Sequence, residues 1–154
     1  MVDLRAEQPA SIVIAEDDPA MRDLLTCMVE SLGHEVRPAP DGARALEAVS
    51  ARPPDLVLSD VNMPEVDGFE LCRRLKASPT TRLIPIVLIT GLGQEHRVRG
   101  IEAGADEFLS KPVEFGDLQL RLRAFLRMKA FTDELETAEA ILLTLAETIE
   151  AKDP

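Results

Sequence analysis

The sequence predicts an α/β fold: a doubly wound, five-stranded parallel sheet with helices on both faces and an extended C-terminal helix. Three observations predict it. Short β-branched, apolar runs alternate strictly with amphipathic stretches, the pattern of strand–helix–strand units. The first, third and fourth runs have almost no polar interior, as strands covered on both faces require. The chain has 154 residues, of which 45% are hydrophobic, enough for one compact domain with a modest appendage.

The strands are expected at residues 11–15, 35–39, 55–59, 84–90 and 107–110. The second is polar and flanked by proline, which places it at a sheet edge. Helices fall between them. Residues 19–32 carry Met21, Leu24, Leu25, Met28 and Leu32 on one face, with Pro19 in the first turn and Gly33 as C-cap. Residues 42–50 follow Asp41 as N-cap, and residues 69–77 form a third helix. Residues 94–103 are the weakest, with few apolar side chains and Gly93, Gly100 and Gly104 in or beside them. A fifth helix begins near Phe115. Five strands joined by right-handed crossovers lead to the flavodoxin-like order 2-1-3-4-5.

Several classes of function are disfavoured at once. The net charge of −11 repels nucleic acid and anionic membranes, so neither is expected as a partner. No apolar run approaches the ~20 residues of a membrane-spanning helix. Residues 1–10 mix charge, Gln and Pro without a signal-peptide pattern and read as a flexible tail of a cytoplasmic protein. Cys27 and Cys72 lack a CxxC spacing. Cys72 falls on an apolar helical stripe as a small core residue, and Cys27 is expected to pack at the edge of a similar face. His34 and His96 are expected on the surface and receive no role.

In a doubly wound sheet, ligands bind at the carboxyl ends of the strands, beside the switch point between strands 1 and 3. There the first strand ends in Glu16-Asp17-Asp18, the third in Asp60 and the fourth in Thr90, while the fifth runs through Phe108 to Lys111-Pro112. Each has an ordinary alternative, since an Asp after a strand is commonly a helix cap and a Lys in a loop is commonly solvated. Their convergence on one rim is hard to obtain by packing alone. Clustered carboxylates raise one another's pKa unless a cation neutralises them. Mg²⁺ suits the site because it needs only one or two carboxylates plus a phosphoryl oxygen and keeps its other waters. Lys111 supplies a compact positive charge and Thr90 a hydroxyl donor. A carboxylate nucleophile placed among such groups is suited to in-line phosphoryl transfer.

The segments Ile12-Val13-Ile14-Ala15-Glu16-Asp17-Asp18-Pro19, Asp55-Leu56-Val57-Leu58-Ser59-Asp60-Val61-Asn62-Met63-Pro64-Glu65-Val66-Asp67-Gly68, Ile84-Pro85-Ile86-Val87-Leu88-Ile89-Thr90 and Ala103-Gly104-Ala105-Asp106-Glu107-Phe108-Leu109-Ser110-Lys111-Pro112 resemble the receiver domain of two-component response regulators. The likeness covers residues 11–127 in order and spacing. It implies that Asp60 is the phosphoacceptor, supplied by a sensor histidine kinase or phosphotransfer protein. It further implies that Glu16, Asp17, Asp60 and the backbone carbonyl of Asn62 hold Mg²⁺, and that Thr90 and Lys111 contact the phosphoryl group. Phe108 matches the aromatic that turns inward as Thr90 moves, and Asp18 is better explained as a helix cap. Three positions depart from the common pattern. Glu16 stands where Asp is usual, Gly91 where Ala is usual, and Phe108 where Tyr is frequent.

The helical pattern continues past the domain. Met128, Phe131, Leu135, Ala138, Leu142, Leu145 and Ile149 alternate steps of three and four, a coiled-coil seam. The seam could pack on its own domain, form a parallel homodimer through residues 128–150, or link to an output domain absent from this chain. A parallel dimer serving as linker is the preferred expectation, with residues 128–154 forming the extension. Residues 135–154 also resemble, over a short stretch, the segment preceding the catalytic domain of HD-GYP-type response regulators. Two rival readings are a haloacid-dehalogenase-like phosphatase and an interaction module that is not phosphorylated. The phosphatase pattern needs a DxD at the end of the first strand, where this chain has contiguous acids.

Overall fold

The structure, a computed structural model, describes residues 8–152 apart from Leu92. Most of the expected N-terminal tail, residues 1–7, and the end of the HD-GYP-like stretch, Asp153 and Pro154, lie outside the described residues. The elements run β1 (Ser11–Ala15), α1 (Pro19–Ser31), β2 (Glu35–Ala39), α2 (Gly42–Ala51), β3 (Leu56–Asp60), α3 (Gly68–Ala77), β4 (Ile86–Thr90), α4 (Gln94–Ala103), β5 (Glu107–Ser110) and α5 (Phe115–Lys152). All strand pairs are parallel, in the order β2-β1-β3-β4-β5, so the expected topology holds.

Side chains alternate across a strand with a period of two, and this divides the core in two. Val13, Ala15, Val57, Ile86, Leu88 and Phe108 join one buried cluster with α2 and α3. Ile12, Ile14, Leu56, Leu58, Val87, Ile89 and Leu109 join the other with α1 and α5. Asp18, Asp41 and Asp67 cap α1, α2 and α3, each carboxylate accepting a backbone N–H of the first turn.

The element ends and some faces differ from expectation. β4 starts at Ile86 rather than residue 84, because Pro85 has no N–H for the ladder and contributes its carbonyl to Val57 N–H. β3 extends through Asp60 and omits Asp55, whose carboxylate accepts the Ser11 N–H at 2.8 Å. On α1, Leu25 and Val29 are buried and Leu24 is exposed. Cys27 is exposed too, against the expected edge packing, while Cys72 is buried as expected. Burial pushes the Cys72 thiol up to about 11. Neither histidine is a plain surface group. His34 is half-buried, and its Nδ1 accepts the Ala10 N–H at 3.1 Å. His96 packs edge-on against Phe69 at 5.6 Å.

α5 is one continuous helix. Leu118 and Leu122 are buried against the sheet, and Phe125 and Leu126 are half-buried. Met128 and Phe131 are more than half exposed and every residue from Glu134 to Ala151 is exposed, so none of the described residues packs the seam back on its own domain.

Candidate functional site

The strand ends bring the acidic residues together. Glu16, the first residue past β1, and Asp60, the last of β3, are buried, while Asp17 is exposed. One carboxylate oxygen from each lies within 4.8 Å of the others. The parallel pairing of β1 with β3 puts Ala15 beside Ser59 and so aligns the residues that follow them. Asn62 lies just past the end of β3 and is exposed.

Asp60 is held from two sides. Its Oδ1 accepts the Val61 N–H at 2.8 Å and lies 3.1 Å from Lys111 Nζ. Lys111 follows β5, and its own N–H donates to the Thr90 carbonyl at 3.0 Å, which ties the two remaining strand ends together. Thr90, the last residue of β4, is buried.

The electrostatics of the trio are strained in one place. Burial, then the negative charge of Asp60, then hydrogen bonding with Asp60 raise the Glu16 carboxyl to about 7. Lys111 and the Asp18 N–H oppose that shift without cancelling it. Glu16 Oε2 is buried with no donor. An ionised carboxylate can only accept, so the group is satisfied either by holding a proton that it gives to Asp60 or by facing a cation. This donor set, three carboxylates with one oxygen unpartnered, fits a hard divalent ion.

The geometry also shows residues whose role the sequence analysis did not find. A Cβ on Gly68 would stand 2.3 Å from the Asp60 carbonyl, and one on Gly42 would stand 2.2 Å from the Val66 carbonyl. These two glycines let the loop from Val61 to Asp67 close down beside the acidic trio. Gly100 was legible only as a weak point in α4. In the structure, the edge of the Phe108 ring fills the space its side chain would occupy. That ring is already buried, and the Arg97 guanidinium lies 5.7 Å from its centroid. At Gly91, by contrast, a Cβ would make ordinary contact with the Lys111 stem at 3.6 Å.

A family model described as the response regulator receiver domain matches residues 12–123. The chain is 44% identical over 132 residues to the response regulator PleD of Caulobacter vibrioides, an alignment covering 85% of this chain and 29% of that protein. The chain therefore spans less than a third of that relative. A crystal structure of the receiver domain of a signal transduction histidine kinase from Syntrophus aciditrophicus superposes with a TM-score of 0.73 at 38% identity, covering 77% of this chain and 90% of that one. The receiver domain of the sensor histidine kinase PA1611 from Pseudomonas aeruginosa also gives a TM-score of 0.73, at 28% identity over 77% of this chain and 98% of that one. It is described with a magnesium ion coordinated in its active-site cleft.

Proposed function

The chain belongs to the response regulator receiver domain family, and on that premise we propose that Asp60 accepts a phosphoryl group from a sensor histidine kinase or phosphotransfer protein. The observation that carries this reading is the placement of Asp60 itself: a buried carboxylate at the end of a central strand, 3.1 Å from Lys111 Nζ and within the acidic trio. A carboxylate oxygen of Asp60 attacks phosphorus in line with the donor nitrogen. The phosphorus–nitrogen bond breaks as the phosphorus–oxygen bond forms, the electron pair stays on the donor imidazole, and an acyl phosphate results.

Glu16, Asp17, Asp60 and the Asn62 carbonyl are the groups that would hold Mg²⁺. The ion, when bound, supplies positive charge against the carboxylates and the phosphoryl oxygens. Lys111 holds the resting Asp60 and then pairs with a phosphoryl oxygen, and the Thr90 hydroxyl donates to another. A shift of Thr90 is coupled to the packing of Phe108 under α4, the helix with the fewest buried side chains among α1–α4. Phosphorylation can bias that packing only through contacts that differ between the two states.

We place the protein in the cytoplasm; among the described residues no helix is long and apolar enough to cross a membrane. The extension, residues 128–150, pairs with a second copy to form a homodimer and leads to an output domain beyond this chain. The chain is the regulated switch rather than the output enzyme.

The test is phosphorylation by a small phosphoramidate donor with Mg²⁺, followed by intact-mass and peptide analysis. One phosphoryl group is expected, on Asp60, and none on an Asp60→Asn chain. A chain that binds Mg²⁺ yet takes no phosphoryl group from any donor would favour the interaction-module reading instead.

A further inference from the structure

The turn from Glu16 to Asp18 must aim two members of the acidic trio after the chain has left the sheet. The last pairing of β1 with β3 is Ala15 beside Ser59. Beyond it the Glu16 backbone is tied on both sides. Its N–H donates to the Ala39 carbonyl at 3.1 Å, and its carbonyl accepts from Arg22 Nη1 at 2.9 Å. The first bond continues the sheet, and the second comes from a side chain on α1.

Arg22 reaches that carbonyl because of where it stands. It closes the first turn of α1, its own N–H donating to the Asp18 carbonyl at 2.8 Å. Helix side chains lean toward the N-terminus, so a long one at this position is aimed back at the strand end. The residue is half-buried, and the Thr26 hydroxyl donates to its carbonyl at 2.7 Å.

The three carboxylates are not held alike. Asp60 accepts the Val61 N–H and meets Lys111. Glu16 is buried, and its Oε1 lies 3.4 Å from the Asp18 nitrogen. Asp17 is exposed, and among the described residues no hydrogen bond or ion pair holds its carboxylate. Its place in the trio is therefore set by its backbone. The Glu16 carbonyl and the Asp17 N–H belong to one planar peptide group, so holding the oxygen orients the residue that follows.

From this arrangement we infer that Arg22 is a positioning residue of the divalent-ion site: by fixing the Glu16–Asp17 peptide it aims the Asp17 carboxylate at the ion. The inference rests on the Mg²⁺-dependent receiver reading proposed above and adds to it a residue that supplies no ligand. Two other roles for Arg22 predict different results. Merely satisfying a carbonyl that has left the ladder would leave the ion affinity of the folded chain unchanged. The guanidinium charge alone would make its removal tighten cation binding. Positioning makes its removal weaken it. Partners that orient a ligand are worth roughly ten- to a hundredfold in metal affinity, and one acting through the ligand's backbone is expected to be worth roughly three- to tenfold.

The test is Arg22→Met, which keeps an unbranched stem and removes the donor. Arg22→Gln, polar but too short to reach, is made alongside it, and circular dichroism checks that each chain is folded. Calorimetric titration with Mg²⁺ at constant pH and ionic strength gives the affinities, which are expected to fall by roughly three- to tenfold. Asp60 phosphorylation by the phosphoramidate donor is followed as Mg²⁺ is raised. The half-saturating concentration should rise by the same factor, while the rate at saturation stays within about twofold, the signature of lost binding rather than lost catalysis. Variants that bind Mg²⁺ as tightly as the native chain, or more tightly, would overturn the inference and leave the receiver reading standing. A lower saturated rate at unchanged affinity would overturn it too, by placing Arg22 at the transferring group. A native chain that binds no Mg²⁺ and takes no phosphoryl group would instead overturn the receiver reading, and the inference with it.

Discussion

Gly100 meets the edge of the Phe108 ring so closely that a Cβ on it would stand 2.4 Å from Cε1 and 2.6 Å from Cζ. A helical position ordinarily gains from Ala over Gly. Here the sign reverses. Gly100→Ala is expected to lower unfolding stability by about 1–3 kcal/mol, because the ring or the helix must shift. In a Phe108→Leu background, where the clashing ring atoms are gone, the same substitution should cost less than about 1 kcal/mol. Urea unfolding of the four proteins gives the coupling. Additive effects would mean that the ring does not hold α4 in place.

Lys111 and Asp60 form an ion pair at the site, with Asp60 buried and Lys111 about a third exposed. Lys111→Met leaves a buried carboxylate facing Glu16 without its counter-charge. The expected loss of stability without metal is about 1–2 kcal/mol, below the 3–5 of a fully buried pair because solvent reaches the ammonium. Phosphorylation of Asp60 should slow by at least roughly tenfold, since one transition-state charge contact is gone. A variant phosphorylated at the original rate would remove Lys111 from the mechanism.

Among the described residues, Glu65 is the one non-glycine residue with a positive φ, 65°. It lies in the loop between β3 and α3 that carries Asn62. A side chain in the left-handed region is disfavoured by about 1–2 kcal/mol, and glycine removes that penalty while making the unfolded chain more flexible. Glu65→Gly is therefore expected to gain up to about 1 kcal/mol, and Glu65→Val to lose at least that much. Thermal unfolding of the two variants checks the sign. A stabilised valine variant would show that the loop adopts another conformation in solution.

The sheet was legible because the runs at β1, β3 and β4 are short, β-branched and bounded, and because alternation sorts their side chains to opposite faces. The site was legible for a related reason: once the strand order is known, the residues following each strand must share a rim. Other features depend on what approaches from elsewhere in the chain. Leu24 and Val29 both fit an amphipathic α1, and only docking decides that Val29 is buried. Gly100 looked like a helix breaker because nothing local says that Phe108 fills its side-chain space. His34 reads as a surface group because its partner, the Ala10 N–H, is 24 residues away. What covers the exposed apolar face of α5 is illegible for a stronger reason, since a heptad pattern gives a face but not what packs on it.

Glu16 makes the metal-free protein sensitive to pH in a direction that can be worked out. Its folded-state carboxyl is raised from 4.5 to about 7, chiefly by burial and then by Asp60. The folded chain thus binds this proton more tightly than the unfolded chain. Stability is highest below the unfolded value and falls as pH rises through the window from 4.5 to about 7. At 1.36 kcal/mol per unit the loss is up to about 3 kcal/mol. Urea midpoints measured in chelator between about pH 5 and 8 should decline with pH, and Glu16→Gln should flatten the profile, since glutamine has no proton to lose. Saturating Mg²⁺ favours the ionised carboxylate, so with the ion present the decline should vanish or reverse. A Glu16→Gln chain that keeps the full decline would assign the pH dependence to another group and leave Glu16 ionised in the resting site.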